Sequence, residues 1–454
     1  MAAAEPSKDY LTQKDNTDLK NLPGKFGLPF IGQTFSFVTK PYEMLDELYK
    51  KHGPVSKASL TFQKLVVALG PEYIKELTLD SERVFSSKMG YRGPVGAFFE
   101  GGLLTKDFSD HKFHRRIMQT AFKTNAMRNY VNEMNPIIDN AIAQWQKDED
   151  FHFYPNVKTL LLDVGAKIFL GLDLEGRETK ELNEAFLDMI AGSLAVIRKD
   201  WPGLTYHKGM NGRRFLEKFF VDLIPKKRGK EGQDMATYFA NETTEDGDLY
   251  DDKVVADHLI FLLLAAHDTT TSAITMACSL LAHNQDWQDR LRAEVTALGK
   301  DHIEFDDLAK LTDFDNTFKE VMRLHPPVPM MMRRTVRDIE LGGYNLPAHT
   351  IIQISPLYVH RMEEYWTNPH DFDPDRFARN EHKKHAFQWA PFGGGAHKCI
   401  GLHFADMLFK CVLANMLLKN RISFRPDNQY PSKIQYFPFA KPIDNLPLII
   451  EPVA

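Results

Sequence analysis

From Asp252 to His283 the chain runs at helical spacing, with apolar residues on nearly every side of the projected helix. Such a helix has no face to offer to water, so it must pass through the centre of a domain large enough to surround it. Its longest unbroken apolar run, Leu259 to Ala266, is closed by Asp257 and His258 at one end and by His267 and Asp268 at the other. That is well short of the ~20 residues a bilayer requires, so a buried core helix is expected rather than a membrane span. The chain has the material for such a core: 454 residues, 43% hydrophobic and 26% charged, with no Gly/Ser-rich or Pro-rich linker to divide it. One domain at 21–454 is expected, preceded by a polar leader at 1–20. The leader has no apolar run of signal-peptide type, which predicts no transmembrane anchor.

Charge and cysteine usage exclude two further classes. A formal net charge of -5 argues against a general nucleic-acid binder. Cys278, Cys399 and Cys411 are odd in number and have no C-x-x-C spacing, so a disulfide framework is not expected and a reducing cytoplasm fits.

Along the chain, Pro23-Gly24, Pro29 and Gly32 punctuate an extended entry. A short helix at Pro41 to His52 follows, then a hairpin of Val55 to Leu60 and Lys64 to Leu69 around T-F-Q. Helical spacing recurs at Phe113 to Phe122, Met127 to Trp145, Val157 to Leu170 and Glu181 to Val196. The run K-K-R-G-K at Lys226 to Lys230 reads as a solvated loop. Leu308 to His325 is a helix stopped by Pro326-Pro327. Ile339 to Leu341 and Ile351 to Ser355 flank Gly342-Gly343 and suggest a small sheet. Residues 402 to 418 return to helical spacing, and Tyr436 to Ile450 suggests a terminal hairpin.

Phe392 to Gly401, F-G-G-G-A-H-K-C-I-G, places one cysteine behind three glycines. A thiolate bound to iron needs room for a flat cofactor and donors that temper its charge. Gly393, Gly394 and Gly395 can adopt positive φ and turn backbone N–H groups toward Cys399, and Gly401 frees the start of the next helix. A turn around a buried thiol fits the same residues. A phosphate loop does not, since the spacing of G-x-x-x-x-G-K-[ST] is missing.

The full spacing F-x-x-G-x-H-x-C-x-G resembles the haem-binding loop of the cytochrome P450 monooxygenases. Glu320 and Arg323 match that family's E-x-x-R, a pair that could equally be a surface ion pair. F-D-P-D-R-F at Phe372 to Phe377 follows and offers Arg376 as the third member of a buried ion network. The succession of three motifs carries the resemblance, which extends from the Pro-rich entry near Leu22 to the terminal hairpin.

The resemblance implies a mainly α fold with small β-sheets, enclosing haem b between the long central helix and the Cys399 loop. It makes Cys399 the iron ligand, with Phe392, Gly393 and Ala265 against the cofactor and Arg115, Arg333 and His397 as partners of its carboxylates. In A-A-H-D-T-T, Ala265 to Thr270, Asp268 would relay protons and Thr269 would hydrogen-bond in the oxygen groove. Side chains of consecutive threonines compete for helix carbonyls and admit water there. His111 stands where many members place tryptophan, Ala266 where many place glycine and Asp375 where glutamate is usual. Pocket contacts implied by family position are Phe98, Phe99, Leu103, Val328, Met330, Met331, Phe437 and Phe439, apolar and adaptable residues that are also ordinary core types.

The expected activity is insertion of one oxygen atom of O2 into a C–H bond of a bulky hydrophobic substrate of steroid, terpenoid or fatty acyl type. No fused reductase is expected, so electrons from NAD(P)H would arrive through a ferredoxin and ferredoxin reductase or another external donor. Lys398, Lys410, Lys112 and Arg116 would steer an acidic ferredoxin to the thiolate face of a monomeric, soluble, bacterial-type enzyme. A peroxide-using or rearranging haem-thiolate enzyme is an alternative that would need no Asp268-Thr269 pair. A haem-binding sensor is another, and it would need no open pocket.

Overall fold

The central helix forms as its sequence requires. In the computed structural model, which describes residues 5–28, 31–60, 63–148, 150–172, 177–426, 430 and 432–453, it spans Asp252–His283. Asp251 caps it, its side chain accepting from the Lys253 N–H at 2.8 Å. Most of its side chains are buried, from Val255 and Ala256 at its start to Leu281 and Ala282 near its end. This helix and Gly395–Lys419 are long and apolar enough to cross a membrane, but 72% and 67% of those windows lie inside the protein, as core helices do.

Helices surround it. Phe153–Leu170 packs on it, Thr124–Trp145 packs on that helix in turn, and Leu402–Lys419 packs against both the central helix and Thr124–Trp145. Arg177–Ser193 and Thr205–Lys227 cross one another at glycines: a Cβ on Gly192 would stand 2.6 Å from the Gly209 Cα, so only hydrogen fits there. The predicted helix at 113–122 begins earlier, at Phe108, and ends at Gln119. The predicted helix at 308–325 is two pieces, a 3-10 turn Phe305–Lys310 and a helix Thr312–Leu324 that ends before the two prolines. Lys226–Lys230 does more than meet water. Lys227 Nζ donates to Leu170 O (2.9 Å) and pairs with Asp234 (2.9 Å), while Arg228 donates to Ala240 O (2.7 Å) and pairs with Asp252.

The β structure departs most from expectation. Val55–Leu60 and Gln63–Ala68 do form a hairpin; Pro29 and the Thr61-Phe62 part of its turn lie outside the described residues. Ile339–Leu341, however, pairs with Tyr344–Leu346 across the Gly342-Gly343 turn. Ile351–Ile354 instead enters a five-stranded sheet, between Gln63–Ala68 in parallel and Met331–Thr335 antiparallel, with Phe85–Ser86 at the edge. The expected terminal hairpin is also divided. Ile434–Gln435 pairs with Lys441–Pro442, while Leu448–Pro452 returns to Asn420–Phe424. All four residues of Ile351–Ile354 are buried, and a strand buried on both faces takes whichever partners the tertiary fold supplies.

Candidate active site

The glycine loop is shaped by close approach. Gly393 and Gly395 have φ of +66° and +59°, whereas Gly394 is extended at -160°. A Cβ on Gly395 would stand 2.0 Å from the Thr78 carbonyl oxygen, so no larger residue fits this backbone. The Cys399 N–H donates to Phe392 O (3.0 Å) and closes the loop. The donor that reaches the sulfur is the backbone N–H of Gly401, on the helix side, rather than an amide of the three preceding glycines. Burial pushes the Cys399 thiol up, and the Gly401 N–H, Arg115 and Lys398 oppose that shift.

Cys399 is surrounded by protein and yet its surface is open, unlike Cys278 and Cys411, which are fully buried. A second opening lies on the central helix, where Phe261, Leu264, Ala265, Ala266 and Thr269 are only half-buried although Leu262, Leu263 and Thr270 are closed off. Three- and four-residue steps put this stripe on one face.

Arg115, His111, Arg333 and His397 converge at one edge of the site. The Arg115 helix, Phe108–Gln119, brings Arg115 Nη1 to the Ala396 carbonyl (3.1 Å) in the Cys399 loop. Arg333 is 5% exposed on its strand and donates to Met332 O (2.8 Å). The His111 ring packs on His397 with centroids 3.9 Å apart. Burial, then Arg115 and Arg333, lowers His111 to about 4; burial, then Arg333, His111 and Arg115, holds His397 well below its usual value. Both imidazoles are neutral at about pH 7. Neither the half-buried Arg115 nor the buried Arg333 has a carboxylate partner among the described ion pairs, which is costly for the Arg333 guanidinium above all. The two carboxylates of haem would answer that deficit, and its iron would meet the open thiol. The residues therefore fit haem.

Asp268 is 3% exposed and Thr269 half-buried, in the turn after Ala265. Thr269 Oγ1 donates to Ala265 O at 2.7 Å, and Thr271 and Thr275 make the same i-4 bond to His267 and Thr271. Asp268 Oδ1 meets Lys158 Nζ at 3.1 Å and His267 Nδ1 at 3.3 Å, while its Oδ2 is buried with no hydrogen-bond partner. Burial raises the Asp268 carboxyl, but His267 and Lys158 outweigh it and hold the group below its usual range.

Glu320, Arg323 and Arg376 do form one buried network. Arg323 grips Glu320 with two bonds (Nε to Oε2 2.7 Å, Nη2 to Oε1 2.8 Å), and Arg376 Nε reaches Glu320 Oε1 at 3.0 Å. All three are 0 to 1% exposed. Remaining donors go to carbonyls of His360, Pro369 and Asp371, and Glu381 joins through Arg376 Nη1 (3.3 Å). From there His360 Nε2 accepts the Ala390 N–H (3.0 Å), so the network braces the chain just before the Cys399 loop.

The expected pocket residues divide by exposure. Phe98, Phe99 and Leu103 are closed by packing at 2%, 2% and 5%, Phe98 lying where Gly192 and Gly209 leave room. Val328, Met330 and Phe439 are half-buried, Met331 is buried, and Phe437 is exposed with its ring against Phe37. One expectation is overturned. Lys410 is not a surface cation: it is 3% exposed, paired with Asp315 and with Asp406 (3.1 Å), and donates to Leu308 O (3.1 Å). Its lysine stem crosses apolar core to reach carboxylates on two elements, a contact invisible in helical spacing. Lys398 and Lys112 are exposed, and Arg116 pairs with Glu245 at 2.8 Å.

Lys158, His267 and Glu381 escaped the sequence reading. His267 adjoins Asp268 in the quoted motif and could have been suspected, whereas Lys158 and Glu381 come from segments that carry no motif.

Known proteins resemble this chain over almost its whole length. The Cytochrome P450 family model matches residues 22–448. The "Putative cytochrome P450 136" of Mycobacterium tuberculosis is 36% identical over 98% of this chain and 92% of its own. A taxane 10-beta-hydroxylase of Taxus cuspidata is 26% identical (90% and 85% covered), and a pentalenene oxygenase of Streptomyces avermitilis 27% (88% and 91%). The retinoic acid-bound cyanobacterial CYP120A1 has the same fold, with a TM-score of 0.84 over 95% of this chain and 99% of that one at 22% identity. An open thiol behind a glycine loop, two guanidinium groups awaiting carboxylates and a match across almost the whole sequence lead to one assignment: this chain belongs to the cytochrome P450 family and is a haem monooxygenase.

Proposed function

We propose that this monooxygenase hydroxylates a bulky, largely hydrocarbon substrate of the terpenoid, steroid or fatty acyl class. The observation that carries the reading is the half-open apolar stripe of the central helix, Phe261, Leu264, Ala265 and Ala266, taken with the open Cys399 thiol. Relatives named for taxane and pentalenene, and a structural match holding retinoic acid, support a molecule of that kind.

Haem iron, when bound, supplies the reductive activation of O2. The chain's own residues do the rest. Cys399 donates its sulfur, with charge tempered by the Gly401 N–H. Arg115 and Arg333 would hold the carboxylates of haem, with His111 and His397 beside them as further donors. Thr269 donates its proton to Ala265 O, which leaves its hydroxyl oxygen able to accept a hydrogen bond. Asp268 is a carboxylate bound to Lys158, whose side chain is 22% exposed, so the pair links the groove to solvent. Half-buried apolar side chains keep bulk water from the substrate.

Electrons come from an external donor, for which a ferredoxin and ferredoxin reductase drawing on NAD(P)H is our reading, with the enzyme monomeric in the cytoplasm. Titrating purified protein with an apolar library of terpenoids, steroids and fatty acids tests the substrate class. A Soret shift from low to high spin with a bulky hydrocarbon, followed by its hydroxylation, is expected; no shift across the library would overturn the reading.

A further inference from the structure

The segment before residue 22 lies outside the match to the family model, yet it is tightly fastened. Tyr10, in the short turn Lys8–Leu11, is 7% exposed. Its hydroxyl donates to Asp107 Oδ2 at 3.1 Å, and its ring meets Phe108 edge-on with centroids 6.1 Å apart. Asp107, 6% exposed, does more than receive this bond. Its Oδ2 also accepts from Ser86 Oγ (2.6 Å), and its Oδ1 accepts the N–H groups of Ser87 (2.7 Å) and Lys88 (3.0 Å). One carboxylate therefore caps the helix Ser87–Phe99, which carries Phe98 and Phe99, and anchors the far end of the loop that contains Leu103. That loop lies on the half-open stripe of the central helix, because a Cβ on Gly102 would stand 2.6 Å from Phe261 Cβ.

A second anchor reaches the opposite wall. Arg334 is 0% exposed and adjoins Arg333 on the strand Met331–Thr335. Its Nη1 donates to Tyr10 O (2.9 Å), its Nη2 to Gln13 O (2.7 Å), and its Nε pairs with Asp15 at 3.0 Å. The Asn16 N–H donates to His349 O (2.8 Å), and Glu5 accepts from Ser109 Oγ (2.6 Å). Among the described ion pairs Asp15 is the only carboxylate on Arg334, so a guanidinium buried beside the site depends on this segment for its counter-charge.

We infer that residues 5–16 are a strap that positions two walls of the pocket, the 98–103 segment whose Gly102 backbone lies on Phe261, through Asp107, and the Met331–Arg333 strand, through Arg334, and that Tyr10 is its positioning residue. The strap sets how closely the walls fit a bulky substrate, so it refines the hydrophobic-substrate reading and rests on it. Each anchor holds a wall at a residue adjacent to the site rather than at a distant surface. Burial, with Asp107 beside it, pushes the Tyr10 phenol up, so it remains a donor at neutral pH.

Tyr10→Phe removes this hydroxyl and keeps the ring in place, so the variant folds. In the haem-loaded protein, amide hydrogen exchange at residues 87–106 is expected to be about tenfold faster than in the parent, the scale of one lost hydrogen bond to a charged group. Two azoles then read the walls, imidazole being too small to touch them and 4-phenylimidazole large enough. Imidazole affinity is expected to stay within about twofold and 4-phenylimidazole affinity to fall about three- to tenfold. Unchanged exchange overturns the strap. Faster exchange with an unchanged ratio of the two affinities shows a contact that only stabilises the fold, and overturns its role in fit. A parent protein whose Soret band ignores imidazole would instead overturn the haem-thiolate reading, and the exchange arm alone would then judge the strap.

Discussion

Lys158 Nζ and Asp268 Oδ1 stand 3.1 Å apart, joining the helix Phe153–Leu170 to the turn of the central helix that carries Thr269. Lys158→Met leaves the Asp268 carboxylate almost fully buried beside His267 alone. A cost on the order of 2–3 kcal/mol near pH 7 is expected, below the full penalty for a buried pair because Lys158 is partly exposed. In the parent the Asp268 carboxyl is held low, so the stability it contributes is present above the ordinary carboxylate range and lost as pH falls through its lowered native value. In the variant the carboxyl rises, so the gap between the two proteins should narrow as pH falls from about 8 to about 5. Denaturant unfolding at both pH values measures it; a constant gap would separate Asp268 from the effect.

Thr269→Ala removes the hydroxyl at the half-open groove and its bond to Ala265 O. The variant should still consume reducing equivalents while releasing more peroxide and less product per electron pair. Peroxide and product counts with a tight-fitting substrate check this, and equal coupling would move the role to Asp268 or Thr270.

Cys399→His should abolish the red-shifted Soret band of the reduced CO complex. Cys278→Ala and Cys411→Ala should retain it and lose only about 1 kcal/mol of stability, since both are buried core thiols. A normal CO spectrum from the Cys399 variant would remove the iron ligand from the argument.

Glu320→Ala leaves Arg323 and Arg376 as neighbouring buried cations. Loss of about 3–5 kcal/mol is expected, with a fall in haem content because the network braces the Cys399 loop. Arg323→Lys should lose part of this too, since an ammonium cannot make the two-bond grip on Glu320. Thermal unfolding and haem absorbance report both, and a stable, haem-replete Glu320→Ala protein would refute the brace.

Histidines set the acid limit. Burial is the main cause that lowers His258 to about 3 and His360 to about 3. An unfolded chain protonates these groups near pH 6.5 and the native state does not, so the unfolded state binds more protons across that window. Stability therefore falls as pH drops below about 6.5, by up to about 1.4 kcal/mol per pH unit for each histidine. Melting temperature against pH measures the slope, which His258→Gln should flatten.

Our proposal of an acidic ferredoxin as donor rests on the exposed Lys398 and Lys112 once Lys410 is buried. Lys398→Glu should slow reduction by an acidic ferredoxin more at low than at high ionic strength. Lys410→Glu should instead unfold the protein, because it puts a third carboxylate beside Asp315 and Asp406. A soluble Lys410→Glu protein with a salt-dependent reduction defect would reverse that assignment.

Short-range relations were legible in the sequence because local geometry settles them. A central helix from Asp252 to His283 follows from apolar residues at helical spacing, the Glu320 and Arg323 pair from an i, i+3 step, and the Cys399 loop from glycines that alone accept its backbone. Tertiary structure decided whatever depends on partners distant in sequence. Ile351–Ile354 joined the N-terminal hairpin rather than Ile339–Leu341, since a strand buried on both faces carries no local mark of its neighbour. Lys410 turned inward because two carboxylates and a carbonyl await it there, and a long lysine stem is compatible with either side of a helix. Tyr10 looked like part of a polar leader, yet Asp107 and Arg334 hold it; such bonds form only after the chain has closed the distances between them, and no spacing of residues records that closure.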